Sequence, residues 1–292
     1  MKLSGSIVAL ITPFHNGEVN VTALKNLVEW HLAEGTQGIV ACGSTGEAAL
    51  LTTKERRVVL ETVVAAAAGR IPVIAGCGAP STHETLAMMV EAKEIGCDAA
   101  LVVTPYYVKP MPEGVYQHFK VLNDVGLPIV LYNNPGRAVT GLSVDTVVRL
   151  AELSMVIAIK DSCDDLTRVI KMRQRIMKDF SFLSGDDPIA TAYIAQGGDG
   201  VVSVSANVVP RLNQQIMQAW KSKDLETFAT LRDKLLMVHE SMFVETSPSP
   251  IKYAVSRLGF CGSEVRLPLV PVTESAKEIV DHALKTIGLV AA

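Results

Sequence analysis

Paired cysteines are the first thing this chain does without. Its five cysteines, Cys42, Cys77, Cys97, Cys163 and Cys261, are odd in number, scattered, and never in C-x-x-C spacing, which argues against a disulfide framework and against a zinc site. The six histidines contain no H-x-x-x-H or other close pairing, so no metal site is expected. Excess positive charge is missing too. The formal net charge is −3 and no dense Lys/Arg stripe occurs, so the electrostatic footprint of a nucleic-acid binder is absent. No apolar run reaches the roughly 18 residues of a membrane span. The short apolar run at residues 7–11 lacks a signal-peptide cleavage pattern, and the expectation is a cytoplasmic protein with no membrane partner. Walker and dinucleotide motifs are absent, as are Gly/Ser-rich linkers. The expected partners are small molecules and further copies of the chain.

What the chain does have is hydrophobic residues, 49% of 292, in a regular alternation of short apolar segments and longer amphipathic ones. Strands are expected at residues 6–11, 38–42, 71–76, 99–103, 128–132, 156–160, 181–184 and 200–204. Helices are expected between them at 21–34, 53–67, 82–95, 112–125, 143–153, 164–177 and 188–196. Such βα repetition implies parallel strands, and eight units in about 205 residues suit a (β/α)8 TIM barrel better than an open doubly wound sheet. Further helices are expected at 210–221, 225–243, 251–258 and 274–287. The first would close a barrel domain of residues 1–222, and the others would form a C-terminal helical extension, 223–292.

The sixth apolar segment, Val156-Ile157-Ala158-Ile159, ends on Lys160. An ammonium removed from water is costly unless it is paired or sheds its proton. Shedding it leaves a neutral amine, the nucleophile that forms a Schiff base with a carbonyl compound. The segment alone equally allows Lys160 to leave the strand for solvent, or to pair with Asp161, Asp164 or Asp165.

A barrel places its site at the C-terminal ends of its strands, and polar motifs follow the apolar runs there. Gly43-Ser44-Thr45-Gly46-Glu47 offers hydroxyls and backbone N–H groups for a carboxylate, or simply a Ser/Thr turn with a helix cap. Thr104-Pro105-Tyr106-Tyr107 reads as a rim of aromatics. Tyr132-Asn133-Asn134-Pro135-Gly136-Arg137 supplies a phenol that can move protons and a guanidinium suited to a carboxylate, or a Pro-Gly turn with a solvated arginine. Ser184-Gly185-Asp186-Asp187 looks like a helix N-cap whose Gly185 would admit a ligand to the backbone. Val202-Ser203-Val204-Ser205-Ala206-Asn207 puts small residues at the mouth. Gly197-Gly198-Asp199-Gly200 precedes a strand and reads as an αβ turn.

In this order and spacing, Gly43-Ser44-Thr45-Gly46-Glu47, Tyr132 with Asn133 and Pro135, and Lys160 with Asp161 resemble the pyruvate-dependent class I aldolase superfamily of dihydrodipicolinate synthases and N-acetylneuraminate lyases. Thr104-Pro105-Tyr106-Tyr107, Pro135-Gly136-Arg137, Leu183-Ser184-Gly185-Asp186-Asp187 and Glu245-Thr246-Ser247-Pro248-Ser249-Pro250-Ile251-Lys252 are most similar to the dihydrodipicolinate synthase family. The resemblance covers essentially the whole chain. It implies that Lys160 forms an imine with pyruvate, with no other cofactor. It further implies that Tyr132 moves protons beside that imine, and that Ser44 and Tyr107 complete the relay, Tyr107 across a subunit interface. Thr45 and its neighbouring backbone would bind the pyruvate carboxylate with Val202 lining the same pocket, Gly185 would be a further substrate-binding position, and Arg137 would hold the carboxylate of L-aspartate 4-semialdehyde. A homotetramer built as a dimer of dimers is implied as well.

The chain departs from the family pattern in three places. Ser44 stands where threonine is usual, and Ala138-Val139-Thr140 follows Arg137 where the family commonly continues Thr-Gly. The family's lysine feedback site is matched only at Glu84 and Tyr106, with Pro80, Ala48, Thr53 and Arg56 replacing its usual residues, so lysine inhibition is expected to be weak or absent. Two other readings stand beside this one. A sugar-acid aldolase acting on N-acetylneuraminate or 2-keto-3-deoxygluconate would want hydroxyl partners where Arg137 offers a cation. A non-catalytic keto-acid binding protein would require a lost nucleophile or relay group.

Overall fold

Strands buried on both faces need nearly continuous apolar sequence, and all eight expected segments form such strands. In the computed structural model, which describes residues 1–291, they are β1 Gly5–Ala9, β2 Gly38–Ala41, β3 Val73–Gly76, β4 Ala99–Val103, β5 Ile129–Asn133, β6 Val156–Asp161, β7 Ser181–Ser184 and β8 Gly200–Ser203. They close into a parallel barrel in sequence order, β8 returning to β1, with helices between them: a TIM barrel followed by C-terminal helices. By contact, the chain divides into two compact units, Met1–Gly5 with Pro72–Val202, and Ser6–Ile71 with the chain from Ser203 onward.

In the first unit, β4 to β7 pair in turn, with one register shift at Ile129/Val130 where β5 meets β6: Leu101 pairs with Val130, Tyr132 with Lys160, and Lys160 with Leu183. The helix Thr82–Ile95 starts at Ser81, whose hydroxyl accepts from the Glu84 N–H, and stops at Gly96 in the left-handed region (φ 96°), which only glycine enters without steric cost. The expected helix over 164–177 forms only at Thr167–Arg173. Its early turns are lost because Asp165 Oδ1 accepts from both the N–H and the hydroxyl of Thr167 (2.9 and 2.6 Å), a local turn that competes with helix. Nor does the Ser184–Asp187 stretch cap a helix. Ser184 Oγ accepts from the Asp186 N–H (3.2 Å), and the next helix, Ala190–Ala195, begins later without a side-chain cap.

In the second unit β1 pairs with β2, Ile7 opposite Gly38. β1 stops short of the expected Ile11 because the Ile11 N–H is taken by the Asn207 side chain (3.1 Å). A two-residue hairpin, Phe14–His15 against Glu18–Val19, was not expected. The helix Thr53–Ala67 starts with a full capping box between Thr52 and Glu55. The helices Pro210–Ser222, Leu225–Ser241, Ser249–Arg257 and Glu274–Thr286 complete the unit.

Two core histidines set an acid limit on stability. His31 is fully buried with Nδ1 on Thr36 Oγ1 (3.0 Å), and His118 is buried with Nδ1 on Thr82 Oγ1 (2.9 Å). Burial lowers them from 6.5 to about 3 and about 4 respectively. The unfolded chain therefore takes up protons that the folded one refuses. The stability these groups give is full above pH 6.5, is lost progressively as pH falls below it, and is gone at about 4 for His118 and about 3 for His31. Between pH 7 and 4 the urea midpoint should fall by the equivalent of a few kcal/mol, and the His31→Gln/His118→Gln double variant should flatten that slope. An unchanged slope would refute the assignment.

Candidate active site

The register of β5 against β6 builds the core of the site. Because side chains alternate along a strand, the Tyr132–Lys160 and Asn133–Asp161 rungs present their side chains on opposite faces. On one face, Lys160 Nζ lies 4.3 Å from the centroid of the Tyr132 ring, and both residues are buried, at 4% and 7% exposure. Of the alternatives the sequence left open for Lys160, exit to solvent is thereby excluded, and pairing with Asp161 is excluded by the other face.

There Asp161, only 1% exposed, accepts from Asn133 Nδ2 (2.6 Å) and from Arg168 Nε (3.0 Å). This network grips the loop that carries Arg137. Asn133 Oδ1 accepts from the Leu142 N–H (2.8 Å), Arg168 Nη2 donates to the Leu142 carbonyl (2.8 Å), and Thr104 Oγ1 donates to the Thr140 carbonyl (2.7 Å). Arg137 is exposed on this clamped loop. The expected Pro-Gly turn proves to be one helical turn, Pro135–Ala138, capped by Asn134. It ends at Val139 with φ 64°, ψ −39°. A β-branched residue at positive φ costs on the order of 1–3 kcal/mol, which marks Val139 as strained.

Gly185 serves Lys160 directly. A Cβ at this position would collide with Ser162 Oγ and lie 3.0 Å from Lys160 Cε, so the glycine makes room for the lysine side chain. Its own N–H donates to the Asp161 carbonyl (2.9 Å). Beside it, burial raises the Asp186 carboxyl above the usual range, with the Asp187 and Asp164 carboxylates adding to the effect.

The Gly43–Glu47 turn belongs to the other unit. The Gly46 N–H donates to the Gly43 carbonyl (3.1 Å), and the Gly46 carbonyl accepts from Thr12 Oγ1 (2.7 Å). Ser44 is exposed and Thr45 is 3% exposed. Glu47, left-handed at φ 55°, turns its carboxylate inward onto Lys252 Nζ at 2.6 Å, with neither side chain reached by solvent. Its second oxygen accepts from the Arg266 N–H (3.0 Å). Sequence reasoning gave Lys252 no role, because one lysine in an amphipathic helix reads as a surface position and its partner lies 205 residues away.

Val202 is buried at 1% exposure. Tyr107 is the opposite: 91% exposed, with φ 70°, next to exposed Val108 and Met111. Tyr106 and Glu84 are close enough that Glu84 adds to burial in raising the Tyr106 phenol. Among the described residues, no group of three or more His, Cys, Asp or Glu could hold a metal ion, and no helix is long and apolar enough to cross a membrane.

Comparison with known proteins bears on the family and the fold. The model of the dihydrodipicolinate synthetase family matches residues 2–287. A 4-hydroxy-tetrahydrodipicolinate synthase of Rhodospirillum centenum is 50% identical over 286 residues, 98% of each chain. The crystal structure of dihydrodipicolinate synthase from Aquifex aeolicus superposes with a TM-score of 0.96 at 42% identity, covering 98% of this chain and 99% of the other. The chloride-inhibited dihydrodipicolinate synthase of Acinetobacter baumannii, complexed with pyruvate, does so with a TM-score of 0.96 at 41% identity, covering 99% and 100%.

Proposed function

This chain belongs to the dihydrodipicolinate synthetase family, and from that premise we propose that it condenses pyruvate with L-aspartate 4-semialdehyde to 4-hydroxy-tetrahydrodipicolinate, a step of lysine biosynthesis. The observation that carries the proposal is the Tyr132–Lys160 rung, which holds a buried amine 4.3 Å from the ring of a buried phenol. A pyruvate complex of a relative 41% identical supports the first substrate.

In this reading the Lys160 amine attacks the pyruvate ketone, and loss of water gives the imine. Tyr132, an acid–base group whose ordinary pKa near 10 requires hydrogen-bond partners, takes a methyl proton to leave the enamine. Ser44 and Tyr107 pass that proton on. The hydroxyl and backbone N–H groups at Thr45 hold the pyruvate carboxylate, with Val202 and Gly185 lining the pocket. Arg137 holds the carboxylate of the aldehyde substrate. The enamine carbon adds to the aldehyde, and cyclisation releases Lys160, so the chemistry uses no cofactor beyond the imine. The exposed Tyr107, Val108 and Met111 form the surface at which a second copy docks, on the way to a dimer of dimers. Residues 223–292 act as the helical extension of a catalytic barrel, 1–222.

Ser44 gives a test of the relay. Without the threonine methyl its hydroxyl turns more freely, yet it remains a donor and acceptor. Ser44→Ala should lower kcat at least about tenfold more than Ser44→Thr, measured with saturating pyruvate and aldehyde. Equal losses in the two variants would remove Ser44 from the relay.

A further inference from the structure

Asn134 lies between the two chemical groups of the β5 segment. Its Nδ2 donates to the Tyr132 phenol oxygen at 2.8 Å, while its Oδ1 accepts from the Arg137 N–H at 3.2 Å and so caps the helical turn that carries Arg137. The second bond fixes the direction of the first. An amide whose oxygen is committed to a backbone N–H can offer only its NH2 to the phenol.

We propose that Asn134 is a positioning residue that sets both the proton direction of Tyr132 and the placement of Arg137. The inference rests on the Schiff-base reading above. Because Tyr132 accepts from Asn134, the phenol's own hydrogen is directed away from the Asn134 amide. Donation to the phenol oxygen also favours the charged form that must exist after the proton has left. The same side chain pins the first turn of the Arg137 segment, whose far end is held independently by Thr104, Asn133 and Arg168. One amide thus serves enamine formation, which involves pyruvate alone, and aldehyde binding, which follows it.

Two substitutions in the full-length protein separate the roles. Asn134→Asp keeps an oxygen for the cap but removes the donor, and its carboxylate draws the phenol's hydrogen to itself. Asn134→Ala loses both bonds. Three readouts are needed on folded protein: borohydride trapping of pyruvate on Lys160, exchange of pyruvate methyl protons with D2O in the absence of aldehyde, and the KM for L-aspartate 4-semialdehyde. Trapping should stay within about twofold of wild type in both variants, while proton exchange should fall at least about tenfold in both, the loss expected for one hydrogen bond made to a developing charge. The aldehyde KM should rise about fivefold in Asn134→Ala only, the size of a lost helix cap. Exchange at the wild-type rate in Asn134→Asp would overturn the proposal, as would equal loss of trapping and exchange, which would mark a merely structural residue. Wild-type protein that neither traps nor exchanges pyruvate would overturn the functional reading, and this inference with it.

Discussion

Lys160→Ala is expected to lower turnover by at least about 10^4-fold, the scale on which removing a covalent nucleophile acts. It should also abolish the reduced pyruvyl adduct that borohydride leaves on the wild-type chain. The argument is structural as well as chemical. Lys160 sits at 4% exposure on a β6 rung between Tyr132 and Leu183. The carboxylate next to it in sequence is turned to the opposite face and committed to Asn133 and Arg168. Asp161 is thereby kept from pairing with the amine. Lys160→Arg should be just as inactive, because a guanidinium keeps its charge and cannot form the imine. Intact-mass measurement after reduction reads the result, and an adduct surviving in either variant would move the nucleophile elsewhere.

The second large effect is on stability. Lys252→Met is expected to cost roughly 3–5 kcal/mol, the range for breaking a buried ion pair by deleting one partner. It would leave the Glu47 carboxylate out of water, with the Arg266 N–H still donating to it. Burial lowers the Lys252 ammonium from its ordinary value, against the pull of Glu47, so the pair exists at a cost that only its close geometry offsets. Phe14 forms one wall, with Lys252 Nζ 4.0 Å and Arg266 Cζ 4.3 Å from its ring centroid. Arg266 in turn donates to the Leu50 carbonyl (3.0 Å) and to Glu55, which it lowers to about 2. Lys252 on the helix Ser249–Arg257 thus anchors the end of the Gly43–Glu47 turn. The KM for pyruvate should rise with the loss of stability, since Thr45 sits on that turn. The Glu47→Leu/Lys252→Met double variant should regain much of the stability, because no charge is then left buried alone. Urea unfolding reads both, and a single-variant loss under about 1 kcal/mol would place the pair among the weak ones.

How much of this was legible in the sequence depends on the range of the interaction. The eight strands were readable because a strand buried on both faces needs a local apolar run, and their ends shifted by one or two residues where a distant side chain intervened, as Asn207 does at Ile11. Lys160 and Tyr132 stood out by residue type at the ends of such runs. Their shared rung could not be read, because register between strands 28 residues apart is set by packing of the whole sheet. Asp165 shortened a helix through a two-residue turn that periodicity does not register. Asn134 lay in full view within the Tyr132–Arg137 motif, but its two bonds depend on the helical turn that follows, which read as a loop. Lys252 closed a stretch that resembles the family, but nothing local signalled its burial, which is decided by a glutamate 205 residues away.

The most direct measurement is turnover of wild-type protein with pyruvate and L-aspartate 4-semialdehyde, coupled to dihydrodipicolinate reductase and followed by NADPH loss. The account predicts turnover that needs both substrates and disappears in Lys160→Ala. Folded wild-type protein that traps pyruvate on Lys160 but consumes no aldehyde, and instead cleaves a sugar acid to pyruvate, would contradict it.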